Sequence, residues 1–171
     1  MIKTLLACAL VASAPAAQAA RYVCNTCNTN EQVTLKFMQE RGINDKNALA
    51  TVLGNIKQES MFHPNICEGG ARVRYEDCHK GGYGMIQWTT QSRYVGLGNF
   101  AKNFGGDPST LNTQLRYLVN ENQWLKIEPY LKTEGQSIEW YMKHAYTWLG
   151  WGVHGNRTSY AYQYLSNLTK G

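Results

Sequence analysis

Residues 44–64 read Asn44-Asp45-Lys46-Asn47-Ala48-Leu49-Ala50-Thr51-Val52-Leu53-Gly54-Asn55-Ile56-Lys57-Gln58-Glu59-Ser60-Met61-Phe62-His63-Pro64. Ala48, Leu49, Val52, Leu53 and Ile56 recur at helical spacing, so the stretch predicts a helix with one buried face and Asn44 or Asp45 as its cap. Lys57 and Gln58 fall outside that face. Glu59 lies three residues after Ile56 and seven after Val52, beside the buried stripe at the helix end. His63-Pro64 marks the exit, because proline does not extend a helix readily. A carboxyl placed there is half-sheltered, the setting in which a Glu stays protonated toward neutral pH and can act as an acid. Most Glu residues at helix ends are solvated or paired on the surface, and spacing alone does not separate the two cases.

Outward from this helix the chain alternates helical patterns with punctuation. Asn30 to Glu40 reads as a first helix through Val33, Phe37 and Glu40/Arg41, ended by Gly42. Residues 65–84 are rich in Gly and charge and read as an ordered loop with a short hairpin. Tyr83-Gly84-Met85-Ile86-Gln87-Trp88 returns to apolar character. Further helices are predicted over 92–103, after Asp107-Pro108 through Leu111, Leu115, Leu118 and Val119, over 137–147, and over 157–168. Pro129 and Gly135 interrupt the segment between them, and residues 149–156 form a Gly-rich turn. With no repeat or linker, the expected fold is mainly α (α+β), a helical domain with a small irregular or β-hairpin lobe. The organisation is a signal segment over 1–19, a cysteine-containing segment with the first helix over 20–43, and the main domain over 44–171.

The N-terminal stretch carries Lys3, a short apolar run and the small-residue site Ala17-Gln18-Ala19, which together read as a signal peptide rather than a membrane anchor. Leu5-Leu6-Ala7-Cys8 also loosely matches a lipid-attachment pattern. No later stretch is long and apolar enough for stable membrane insertion. The formal charge is +5 and falls to +4 without Lys3. That excess suits a polyanionic bacterial envelope, while the scattered basic residues argue against a nucleic acid partner. The five Trp and eleven Tyr suit both a core and a sugar-binding cleft. Four cysteines remain in an exported chain. Cys67 with Cys78 brackets the polar loop, and Cys24 with Cys27 forms a tight second pair. The open alternative is a structural zinc, since Cys24-Asn-Thr-Cys27 has ligand spacing and His63 and His79 flank the other two. No catalytic metal or cofactor is expected.

Gly54 to Pro64, with its Glu-Ser pair, resembles the catalytic motif of lysozyme-like muramidases and lytic transglycosylases. Gly84-Met85-Ile86-Gln87 resembles the Gly-Leu-x-Gln motif of the same cleft. The fuller Gly82-Tyr83-Gly84-Met85-Ile86-Gln87-Trp88-Thr89, followed by Arg93, is similar to the phage tail lysozyme family. Its later landmarks also appear: Gln114 with Leu115 and Leu118, then a Gly-rich turn ending in Arg157 and Ala161. The turn before Arg157 departs from the family's Glu-x-Pro-Gly-like pattern. The resemblance covers roughly 44–168 and implies a lysozyme-like fold that cleaves between N-acetylmuramic acid and N-acetylglucosamine, with Glu59 as catalytic acid.

Read from chemistry, Gln87 offers the amide donor and acceptor that an N-acetyl sugar requires. Tyr83 and Trp88 stack on sugar faces or steady the acid, with Trp88 equally readable as core. Ser60 and Arg93 complete the expected substrate-binding set. An inverting hydrolase needs a second carboxylate as base and a retaining one needs a closer nucleophile. Glu68, held beside Cys67, is the first candidate, Asp77 the second, and Glu76 the third. All three also read as charges balancing Arg72, Arg74 and Lys80. A lytic transglycosylase needs no such base, and the hydrolase is preferred. A non-catalytic wall-binding or virion protein is the reading from another class. The expected partners are peptidoglycan and phage virion or tail proteins. The expected place of action is the secreted or periplasmic space, or the virion.

Overall fold

The computed structural model describes residues 21–171. The signal segment over 1–19 and the lipid-attachment pattern at Cys8 lie outside the described residues. The helices are α1 (Thr29–Glu40), α2 (Lys46–Ser60), α3 (Gln91–Phe104), α4 (Leu111–Leu118), α5 (Asn122–Leu131), α6 (Ile138–Leu149) and α7 (Arg157–Asn167). Strands β1 (Tyr22–Val23) and β2 (Thr169–Lys170) pair antiparallel and tie the two ends of the described chain together. The fold is mainly α.

The centre is α2. Its Ala48, Leu49, Val52, Leu53 and Ile56 are all at most 1% exposed. Asp45 caps it by accepting from the Ala48 amide at 3.0 Å, one of the two predicted capping residues. The closest helix pair is α2 against α7, and Gly54 makes it possible. A Cβ at Gly54 would lie 2.5 Å from the Ala161 nitrogen and 2.9 Å from the Arg157 carbonyl oxygen. Only a residue without a side chain lets these two backbones meet. Around this pair, α6 packs on α2 and α5 on α6, with Trp124 and Trp148 edge to face at 5.0 Å.

Three local expectations are corrected. In α1 the buried positions are Glu31, Thr34, Leu35 and Met38, while Val33 is 43% exposed, so the inward stripe is rotated from the one read through Val33. Asp107-Pro108 forms a turn, with the Ser109 amide on the Asp107 carboxylate, and α4 begins only at Leu111. Pro129 does not break its segment but lies inside α5. It sits in the last turn, where the missing N–H removes one helical bond, and the helix is held by burial of Trp124, Ile127 and Leu131.

Residues 61–90 form the irregular lobe. Isolated bridges join Ile66 to Arg72, Cys67 to Tyr83, and Tyr83 to Trp88, in place of a regular hairpin. Cys67–Cys78 closes the lobe, and Cys24–Cys27 closes the N-terminal turn. Both expected pairings are present, and they take up the thiolates that a four-cysteine zinc site would need.

Candidate active site

The acid stands where a regular helix turns into strained backbone. Glu59 is the penultimate residue of α2. Met61 and Phe62 follow it with φ of 51° and 62°, two consecutive non-glycine residues in the left-handed region. Such positions cost roughly 1–3 kcal/mol each and persist where their surroundings hold them. Here Phe62 is fully buried against Tyr164, and the Asn30 side chain donates to the Phe62 carbonyl at 2.9 Å.

The Glu59 side chain is 16% exposed, and its Oε1 accepts from Arg157 Nη2 at 2.5 Å. Burial pushes the Glu59 carboxyl above its ordinary range, and the positive charges of Arg157 and Arg93 pull it back. Arg157 is itself buried. Its Nε and Nη1 have no hydrogen-bond partner among the described residues, and its guanidinium carbon lies 4.7 Å from the centre of the Trp151 ring. Burial lowers the Arg157 pKa and Glu59 raises it. The first residue of α7 thus meets the end of α2 because Gly54 allows the two helices together.

The lobe is fastened beside the acid by buried side chains that bond to backbone. Ser60 Oγ donates to the Met85 carbonyl at 2.7 Å. Gln114, fully buried on α4, accepts from the Met85 amide at 2.8 Å and donates to the Pro64 and Pro108 carbonyls at 2.6 and 2.7 Å. Gly84 has φ of 79°, and a Cβ there would meet the Gln114 amide at 2.6 Å. Gln87, at φ 52°, is half-buried, and its Nε2 donates to the Gly84 and Ile66 carbonyls.

These placements revise the roles read from sequence. Tyr83 and Trp88 are 0% exposed. Tyr83 donates its hydroxyl to the Val73 carbonyl, and Trp88 packs 5.3 Å from Tyr117, so both are core and neither offers a ring face to a sugar. Ser60 is buried and positions the Met85 turn rather than facing a ligand. The Arg93 guanidinium is taken up by Glu121 through two bonds of 2.8 and 2.9 Å, with Glu121 nearly buried. Glu76 and Asp77 are exposed and paired with Arg74, as the charge-balancing reading expected. Glu68 is exposed, and its Oε2 accepts from the Gly82 amide at 2.8 Å. Among the described residues, neither Glu68 nor Asp77 makes a hydrogen bond to Glu59.

The residue missed by spacing is Arg157, which meets Glu59 across 98 positions of sequence. The family resemblance had marked it as a landmark without a role.

A central helix ending in a sheltered carboxyl, with an irregular lobe fastened beside it, defines a lysozyme-like helical domain. The family model for phage tail lysozymes matches residues 29–168, and the chain belongs to that family. Among curated relatives, Morphogenesis protein 1 of Bacillus phage B103 is 29% identical over 106 residues, which is 57% of this chain and 26% of that protein. The chain spans far less than the relative's full length. The two disulfides fit a protein that works outside the reducing cytoplasm. No helix among the described residues is long and apolar enough to cross a membrane.

Proposed function

We propose that this chain cleaves the peptidoglycan glycan strand between N-acetylmuramic acid and N-acetylglucosamine, with Glu59 as general acid. The observation that carries the reading is the state of Glu59: burial raises its pKa although two guanidinium groups oppose the rise. A carboxyl so placed holds a proton to higher pH than a surface Glu and can deliver it to the departing glycosidic oxygen. Arg157 fixes the orientation of Glu59 and stabilises the carboxylate that proton transfer leaves behind. Gln87 lies two residues beyond Met85, whose carbonyl the Ser60 hydroxyl ties to the end of α2, and its amide oxygen would accept an N-acetyl N–H. In the hydrolytic form of the reaction Glu68 directs the attacking water. The reading places the protein outside the bacterial cytoplasm or on a virion, in line with the phage morphogenesis relative.

One observation favours a second form, lytic transglycosylation. Among the described residues no second carboxyl pairs with Glu59: Glu68 accepts from the Gly82 amide and Asp77 is taken up by Arg74, and transglycosylation needs no second carboxyl. The sugar's own 6-hydroxyl then takes the place of water.

Mass spectrometry of fragments from purified peptidoglycan separates the two. Reducing-end muramic acid marks hydrolysis, and 1,6-anhydromuramic ends mark transglycosylation. Glu59→Gln is expected to lower turnover at least ~10²-fold, the loss of one general acid, while its Oε1 still accepts from Arg157 and the fold survives. Strands bound but uncut by the native chain, or near-native turnover by Glu59→Gln, would overturn the proposal.

A further inference from the structure

Helix α1 lies outside the 44–171 stretch that reads from sequence as the main domain, yet its first turn reaches the end of α2. Asn28 and Glu31 close that turn on each other. The Glu31 amide donates to Asn28 Oδ1 at 3.1 Å, and the Asn28 amide donates to Glu31 Oε2 at 2.7 Å. The other carboxylate oxygen, Glu31 Oε1, accepts from the Tyr164 hydroxyl of α7 in a buried contact. Within the same turn Asn30 sends its Nδ2 to the Phe62 carbonyl, 32 positions along the chain.

We infer that Asn30 is a positioning residue for Glu59: seated in a turn that the Glu31–Tyr164 bond fixes, it holds the left-handed backbone at Met61–Phe62 that sets where α2 stops. The inference rests on the glycan-cleavage reading of Glu59 and deepens it by naming what keeps the acid in place.

Three observations carry it. The first is where the strain lies. One residue separates Glu59 from Met61 and Phe62, which stand at φ 51° and 62°. A left-handed residue at a helix end is usually glycine, so two larger residues in a row favour relaxation of that end. Relaxation would unwind the last turn of α2 and carry Glu59 with it. Misplacing a reacting group by about 1 Å costs on the order of 10²-fold in rate.

The second is how the two sides of that end are tied. Ser60 is bonded to the lobe through the Met85 carbonyl. Phe62 is bonded to α1, and the Asn30 amide makes the only side-chain hydrogen bond to its carbonyl among the described residues. The Phe62 ring lies edge to face with Tyr164 at 6.2 Å. The third is how the brace is itself supported. Burial and the Glu31 carboxylate push the Tyr164 hydroxyl up, so it remains a proton donor to Glu31. Tyr164 stands on the same helix as Arg157, so α7 holds the carboxyl with one residue and the brace behind it with another.

Asn30→Asp and Asn30→Leu test the brace together. The first is isosteric, and a carboxylate in the first turn of α1 favours the helix while it cannot donate to the Phe62 carbonyl. The second removes the donor without adding charge. At pH 7 both are expected to lower kcat on purified glycan strands roughly tenfold, with KM within about twofold of the parent. Asn30→Asp should melt within a few degrees of the parent, and Asn30→Gln, which keeps the amide, should recover part of the lost kcat. Amide hydrogen exchange read by NMR should quicken at Met61 and His63, whose N–H groups bond to the Lys57 and Ser60 carbonyls. The lobe variant Tyr83→Phe controls for general destabilisation and should leave that exchange and kcat in place. Parent-like kcat in folded Asn30→Leu, unaltered exchange at Met61 and His63, or an equal loss of kcat in Tyr83→Phe would each overturn the inference. Should an Asn30 variant fail to fold, Tyr164→Phe, which unpairs Glu31 Oε1 but keeps the ring on Phe62, must show the same pattern in smaller degree. A native chain that releases no fragments would instead count against the cleavage reading, and the exchange measurement would still decide the brace.

Discussion

The helix pair α2–α7 and the lobe over 61–90 flank the same carboxyl but are built in opposite ways. In the pair, two regular backbones come together at Gly54 and Ala161, and that approach sets Arg157 on Glu59. In the lobe there is little regular structure. Its shape comes from one disulfide and from buried polar side chains bonded to backbone: Gln114 on Met85 and Pro64, Ser60 on Met85, and Tyr83 on Val73. The pair therefore controls the proton affinity of the acid, and the lobe controls what stands in front of it. Damage to one should read out differently from damage to the other.

The largest stability loss is expected from opening the lobe. Replacing Cys67 and Cys78 by Ser removes a bridge across eleven positions and should cost about 2–3 kcal/mol, seen in thermal or denaturant melts. Strand binding should weaken, while the pH dependence of the remaining turnover stays where it was. Gly54→Ala attacks the pair. In an unobstructed helix this change would stabilise by up to ~1 kcal/mol, but here the new methyl meets the α7 backbone and should cost about 1–3 kcal/mol. The sign of the change is thus the test of the close approach. Unlike the disulfide variant, Gly54→Ala should also shift the pH profile, because it separates Arg157 from Glu59. Smallest is Tyr83→Phe, which removes only the hydroxyl bond to Val73 and should cost about 1 kcal/mol with turnover nearly intact.

The same contrast explains what could be read from sequence. The periodic helices were legible because burial imposes its spacing on them. The α2 stripe from Ala48 to Ile56, its cap and its exit before His63-Pro64 all followed from residue order. The α5 helix was not legible, because tertiary burial of Trp124 and Ile127 outweighs the local cost of Pro129. In the lobe, spacing gave the disulfide but misplaced the aromatics. An irregular segment has no period by which inward residues can be told from outward ones, so Tyr83 read as a sugar platform and Trp88 as platform or core alike, although both are core. For the candidate site, the sheltered placement of Glu59 was legible from its position beside the stripe. Its partner Arg157 was not, since an ion pair between two helices leaves no local signature.

Burial raises the Glu59 pKa and Arg157 restrains that rise. The pH dependence of kcat/KM for glycan cleavage, compared between the native chain and Arg157→Met, probes this balance. In the proposed mechanism the protonated acid is the active form, so activity is expected to fall as pH rises through the Glu59 pKa. Removing the Arg157 charge removes a group that lowers that pKa. The alkaline limb is expected to move to higher pH in Arg157→Met, with a smaller movement in Arg157→Lys, which keeps the charge. An alkaline limb that stays fixed, or moves to lower pH, would contradict it.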